Sequence, residues 1–91
     1  MPADISVREF QDFIRRKYFA TDSARGTAKT FLWFIEEVGE LATALAGEVQ
    51  ADKEEEFADV LAWLCTLANI NEVDLTKALE KYTVRCPDGH K

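Results

Sequence analysis

The sequence predicts an all-α protein, a protomer of four helices that associates into a dimeric or larger helical bundle. Apolar residues recur every three or four positions along most of the chain, which is the period of an amphipathic helix and not of a strand. Serine, aspartate and glycine stand where such helices would begin and end. Because 47% of the 91 residues are hydrophobic, we expect a folded chain with a single domain spanning residues 1–91.

The first helix is predicted over about residues 7–18. Ser6 and Glu9 have the spacing of a capping box, in which a serine caps the helix and a glutamate stands at its third position. An apolar stripe that begins at Val7 follows. The small and polar residues 20–26 predict a loop.

The second helix is predicted from Thr27 to about Ala46, with Gly47 as the residue that ends it. Its apolar positions step by four, three, four and three residues, which is a helical period. They are Phe31, Ile35, Val38, Ala42 and Leu45.

Two further helices complete the protomer. Asp52 and Glu55 repeat the capping-box spacing and predict a third helix that ends at about Ile70. Asp74 is a natural N-cap for a fourth helix that runs to about Thr83. The two long helices, joined by a short connection, should lie antiparallel, and so apolar a set of four helices predicts completion by further copies, as a homodimer or homotetramer.

Composition narrows the classes of function. The chain carries a net charge of −6, which argues against binding to a nucleic acid polymer. No apolar run approaches the roughly 20 residues that a membrane-spanning helix needs. The two cysteines form no disulfide framework, and the N-terminus lacks an apolar export segment. We therefore expect a cytoplasmic protein.

The acidity is concentrated in residues 36–59, which contain nine acidic side chains and one basic one. Glu37 and Glu40 stand three residues apart in the second predicted helix, as Glu56 and Asp59 do in the third. Residues at this spacing share a helix face, and antiparallel packing would bring the two pairs together. Converging carboxylates repel one another unless a cation or a proton intervenes. Magnesium is held by carboxylate oxygens together with the phosphates of a substrate.

Other interpretations of these acids stay open. They can be the solvated glutamates of amphipathic helices, as most acidic runs are. A di-iron bundle would need Glu-x-x-His motifs, and the single histidine, His90, lies in the C-terminal tail. Cys86 and His90 have a C-x3-H spacing, but two ligands do not make a structural zinc site.

The residues around the acid pairs carry a family resemblance. The segment FLWFIEEVGELA at 31–42, with EEFADVL at 55–61, resembles the two signature motifs of the MazG-like nucleotide pyrophosphohydrolases. These enzymes belong to the all-α NTP pyrophosphatase superfamily, which includes the dimeric dUTPases and the dCTP pyrophosphatases. The similarity extends over roughly residues 6–82.

The resemblance implies hydrolysis of a nucleoside triphosphate to the monophosphate and pyrophosphate, a house-cleaning reaction on the nucleotide pool. It also implies Mg²⁺, with Mn²⁺ as a possible substitute, held by Glu37, Glu40, Glu56 and Asp59. Glu36 is then a candidate outer acid that orients the attacking water or a further ion. The alternative is a non-catalytic helical dimer that binds a nucleotide or a protein partner.

Five further side chains are candidates for substrate contacts. Lys29 stands at the start of the second helix, where the helix dipole also favours phosphate, and Arg25 precedes it in the predicted loop. Lys81 lies near the end of the fourth helix, where the family places a basic residue. Trp33 and Trp63 each fall one turn from an acid pair and could contact the base, although an aromatic at helical spacing can equally be core packing.

Overall fold

A computed structural model describes residues 3–85 of the chain. Within this range the chain forms four α-helices and one π-helical turn, and it contains no strand there, so the all-α prediction is confirmed. The elements are α1 (Val7–Arg25), α2 (Thr27–Ala46), α3 (Gln50–Ile70), α4 (Leu75–Ala78) and the π-helical turn Lys81–Arg85. None of the helices in this range has both the length and the apolar character needed to cross a membrane.

Helix α1 begins as predicted and ends later. The Ser6 hydroxyl accepts a hydrogen bond from the Glu9 amide at 3.0 Å, and the Glu9 carboxylate accepts one from the Ser6 amide at 2.9 Å. The helix then continues through the predicted loop at 20–26 as far as Arg25, so that prediction is wrong. A buried ion pair between Asp22 and Arg25, one turn apart, holds the last turn in helical form.

Gly26 alone separates α1 from α2. Its φ of +86° lies in the region that glycine adopts without steric cost. This single residue therefore turns the chain between two long helices where a loop of several residues was predicted.

Helix α2 has the predicted bounds, whereas α3 and α4 differ from prediction. Helix α3 begins at Gln50 with Val49 as its N-cap and no side-chain cap. Asp52 therefore lies inside the first turn, where its negative charge interacts favourably with the helix dipole. The predicted capping box is wrong. Asp74 caps α4 as predicted by accepting from the amides of Thr76 and Lys77. The α-helix ends at Ala78, so the single helix predicted through residue 83 is also corrected.

Helix α3 lies at the centre of the protomer, because it packs against both α1 and α2. A buried amide network ties α1 to the chain after α3. The Gln11 side chain donates to Asn69 Oδ1 at 3.0 Å and to the Val73 carbonyl at 2.7 Å, and it accepts from the Leu75 amide at 2.9 Å. Ile14, one turn after Gln11 on α1, is only 4% exposed. The hydrogen bonds between Gln11 and Asn69 hold α1 against α3, and α2 also packs against α3.

The protomer exposes a large apolar surface on its two longest helices. Leu32, for example, keeps 64% of its surface exposed, and Phe57 keeps 56%. We define the α2–α3 apolar face as Phe31, Leu32, Ile35 and Val38 of α2 with Phe57, Leu61 and Leu64 of α3. Monomeric proteins rarely leave an apolar patch of this kind uncovered.

Candidate metal and nucleotide site

Three of the predicted carboxylates meet where α2 crosses α3. Glu37 comes from α2, and Glu56 and Asp59 come from successive turns of α3. Each offers a carboxylate oxygen, and these three oxygens lie within 4.8 Å of one another. All three side chains are half-buried. We call Glu37, Glu56 and Asp59 the carboxylate cluster.

Two oxygen atoms of the cluster are buried without a hydrogen-bond partner in the described part of the chain. They are Glu37 Oε2 and Glu56 Oε2. A buried acceptor that has lost its water costs free energy unless a donor or a cation compensates it. Hard divalent cations take oxygen ligands. The donor set and its unpartnered atoms therefore fit a magnesium-like ion.

The pKa values of Glu37 and Glu56 are raised, because burial and the neighbouring negative charges both disfavour the ionised carboxylates. Burial raises the pKa of Glu37 to about 7, with further contributions from a hydrogen bond with Glu40 and from the charges of Glu40, Asp59 and Glu56. The pKa of Glu56 is also raised, first by desolvation and then by the charges of Glu40, Asp59 and its neighbours on α3. Without a cation, the cluster therefore tends to bind a proton at neutral pH.

Glu40 and Glu36 lie outside the cluster. Glu40 forms a hydrogen bond with Glu37, but its side chain is exposed and stands at the edge of the group. A cavity of about 330 Å³ opens there, with Glu40, Asp52 and Glu56 in its wall. Glu36 is exposed beside Glu37. The structure thus brings together three of the five predicted acids and leaves Glu40 at their border.

Both tryptophans lie one helical turn from the cluster. The rings of Trp33 and Trp63 meet edge to face, with centroids 5.7 Å apart and planes at 82°. Arg25 lies over both rings, 4.7 Å from the centroid of Trp33 and 5.0 Å from that of Trp63. The ammonium of Lys29 lies 5.4 Å from the Trp33 ring. Aromatic and cationic groups therefore lie beside the acids.

Lys81 has a different neighbour. In the described residues its ammonium contacts the ring of the adjacent Tyr82 at 5.2 Å, in the π-helical turn. The structure thus brings Lys29 to the indole pair, and a phosphate contact by Lys81 stays a prediction. Cys86 and His90 lie outside the described residues.

Arg25 is the member of this site that the sequence interpretation undervalued, because it was assigned to a loop. Its Nε donates to Thr30 Oγ1 at 2.9 Å, and its Nη2 pairs with Asp22. The spacing of three residues between Asp22 and Arg25, which is that of a helical ion pair, was the available signal.

The fold and the site define an all-helical protein with an acidic cluster suited to a hard cation. Comparison with protein families is more specific: a family model described as the MazG nucleotide pyrophosphohydrolase domain matches residues 25–90. The chain belongs to this family. The matched range contains both acid pairs and both tryptophans. A search of curated proteins gives no match to the chain.

Proposed function

We propose that the protein is a magnesium-dependent nucleoside triphosphate pyrophosphohydrolase. It converts a ribo- or deoxyribonucleoside triphosphate and water to the monophosphate and pyrophosphate, so the anhydride bond between the α- and β-phosphates is the bond that breaks. The observation that carries the proposal is the convergence of Glu37, Glu56 and Asp59 from two helices, with buried oxygens that lack partners. Membership of a pyrophosphohydrolase family supports it.

In this proposal Glu37, Glu56 and Asp59 hold Mg²⁺ or Mn²⁺, and Glu40 joins them from the edge of the cluster. A bound divalent ion supplies the positive charge that lets a triphosphate approach these acids and that polarises its phosphate. Glu36 is exposed beside the cluster, and we assign it the role of orienting the attacking water. None of these steps requires a protein nucleophile.

The remaining contacts follow from the neighbours of the cluster. Trp63, half-buried one turn beyond Asp59, offers a flat surface against which a base can stack. Trp33 supports it through the edge-to-face contact. Lys29 lies within one turn of Trp33, with its ammonium 5.4 Å from the Trp33 ring, and supplies a positive charge on this side of the site. We assign the base to the indoles and the phosphates to the lysine.

The α2–α3 apolar face supports a homo-oligomeric enzyme, as a dimer or a tetramer. Its members stand at helical spacing on both helices, so a second copy can cover both stripes at once. A nucleotide-pool enzyme of this kind would act in the cytoplasm.

The test is incubation of the protein with a panel of NTPs and dNTPs plus MgCl₂, with detection of pyrophosphate and of the monophosphate. Glu56→Gln removes a cluster charge at constant shape. We expect it to lower kcat/KM by more than the roughly 10–100-fold that losing an outer partner of a metal costs. The matched control is Glu80→Gln, at an exposed glutamate outside the cluster. If the panel yields no pyrophosphate, the alternative of a non-catalytic helical dimer replaces this proposal.

A further inference from the structure

A second cavity, of about 320 Å³, lies between α1 and α3. Its wall includes Tyr18, Asp22 and Arg25 from α1 with Trp63 and Thr66 from α3. Trp63 belongs to both places, because it lines this cavity and also lies one turn from the carboxylate cluster. Trp63 is therefore the residue that connects this cavity to the carboxylate cluster.

The polar part of the wall is a buried ion pair. The side chains of Asp22 and Arg25 are only 8% and 10% exposed. Arg25 donates to Asp22 Oδ1 and to Thr30 Oγ1. A carboxylate can accept about four hydrogen bonds and a guanidinium carries five N–H donors. The pair thus retains acceptor capacity on Asp22 next to donor capacity on Arg25.

An acceptor beside a donor, next to an aromatic wall, complements the edge of a flat heterocycle that carries an amine next to a ring nitrogen or carbonyl. We propose that this cavity receives the nucleobase of the substrate and that Asp22 accepts a hydrogen bond from its exocyclic amine. The assignment rests on the proposed function and names its substrate class: nucleotides of amino-bearing bases.

The physical basis of the selectivity is the cost of an unpaired buried acceptor. Replacing the amine of the base by a carbonyl sets an oxygen against the Asp22 carboxylate, so two acceptors face each other without a proton. Sites built to bond a polar group reject analogues that lack it strongly. We expect kcat/KM for dCTP and ATP to exceed that for dUTP and ITP by about tenfold or more, since each pair differs only in this amine and in the hydrogen on the adjacent ring nitrogen, which would face the Arg25 donors.

A binding measurement separates the cavity from the chemistry. The chain has two tryptophans, Trp33 and Trp63, whose rings contact each other, so the tryptophan fluorescence of the unmodified protein reports binding beside Trp63. Without metal, deoxycytidine and adenosine should change this fluorescence at about tenfold lower concentration than deoxyuridine and inosine. These nucleosides carry no phosphate, so repulsion by the cluster does not obscure the result. Equal responses within each pair, or none, would overturn the assignment whether or not pyrophosphate is released.

Two variants test the wall itself. Ala62→Leu adds bulk inside the cavity and leaves the ion pair intact, so it should abolish the fluorescence response and raise KM. Ala51→Leu, at an exposed position in the first turn of α3, is the matched control. The new side-chain amide in Asp22→Asn can donate a hydrogen bond to a carbonyl, so this variant should have a smaller kcat/KM ratio between amino-bearing bases and their carbonyl analogues. Unchanged selectivity in a folded Asp22→Asn protein would mean that Asp22 has only a structural role, as the ion-pair partner of Arg25.

The two proposals fail separately. Pyrophosphate release with equal rates for dCTP and dUTP would refute the base assignment and keep the enzyme. Selective nucleoside binding without pyrophosphate from any triphosphate would refute the enzyme and keep the cavity as a site for amino-bearing bases.

Discussion

The ring of Trp33 meets the ring of Trp63 edge to face, at a centroid distance of 5.7 Å, and this contact joins α2 to α3 one turn from the carboxylate cluster. Each tryptophan is four residues from a cluster acid, Trp33 from Glu37 and Trp63 from Asp59. One turn along the antiparallel pair, the carboxylates therefore stand opposite each other. The aromatic layer and the acidic layer are successive turns of the same helix pair.

A divalent metal ion should stabilise the fold, because an ion that binds only the folded state increases the free energy of unfolding. The gain is about 2.7 kcal/mol at a hundredfold excess over Kd, which for a domain of this size raises Tm by about 10 °C. Differential scanning calorimetry with MgCl₂ or MnCl₂ measures the shift. Sodium chloride at matched ionic strength should not produce it, because screening supplies no coordination.

Asp59→Asn should remove most of that magnesium-dependent shift. Asp12→Asn, at an exposed position of α1, is the suitable control and should keep it. Asp22 would be a poor control, since its carboxylate is buried in the pair with Arg25. Identical melting curves in magnesium and in sodium chloride for the unmodified protein would mean that the cluster is not a metal site.

The effect of magnesium should depend on pH through Glu37. Its pKa rises from 4.5 to about 7 in the folded protein, chiefly by burial. Without metal, the folded state therefore holds this proton more tightly than the unfolded chain does. The stability that Glu37 contributes is complete below pH 4.5 and is lost as the pH rises through 7.

Metal competes with that proton, because a carboxylate ligand must be ionised. The Tm gain from magnesium should therefore be larger at pH 8 than at pH 6, as melting curves at the two values would reveal. Glu37→Gln removes the titrating group and should flatten the pH dependence of the metal-free protein between these values. An equal magnesium gain at both values would show that Glu37 does not govern metal binding.

Glu40→Gln tests the edge of the cluster. The variant keeps the shape of the side chain and removes one charge that raises the pKa of Glu37. We expect magnesium affinity and turnover to fall by at least the roughly 10–100-fold that losing an outer partner of a metal costs. The metal-free variant should melt at the same temperature or higher, because one repelling carboxylate is gone. Loss of helicity by circular dichroism together with loss of activity would instead assign Glu40 a structural role.

Local sequence patterns predicted the parts of the molecule that local forces decide. The period of apolar residues gave the bounds of α2, and the spacing of Ser6 and Glu9 gave the start of α1. The convergence of acids from α2 and α3 could be predicted, because residues three apart share a helix face and antiparallel packing brings these faces together. The predicted capping box at Asp52 failed because the N-cap of helix α3 is Val49, three residues before Asp52, and no side chain caps the helix there.

Tertiary contacts decided the rest. Small polar residues after residue 19 look like a loop, yet Asp22 and Arg25 become buried together and extend α1. The place of Arg25 over Trp63 depends on how α1 packs against α3, and no spacing along the chain encodes it. The same holds for the cavity between these helices, which periodicity alone cannot predict.

The α2–α3 apolar face should associate with a second copy, so light scattering at micromolar concentration should give a mass of at least twice the 10.3 kDa of the chain. Leu61→Glu would place a charge in the buried interface, where desolvation without a partner is costly. We expect this variant to shift towards the monomer and to melt at a lower temperature. Val84→Glu is the matched control, because Val84 is 71% exposed in the π-helical turn and outside the face. A mass of 10.3 kDa for the unmodified protein would contradict the oligomer. An oligomer that Leu61→Glu leaves intact would move the interface to another surface.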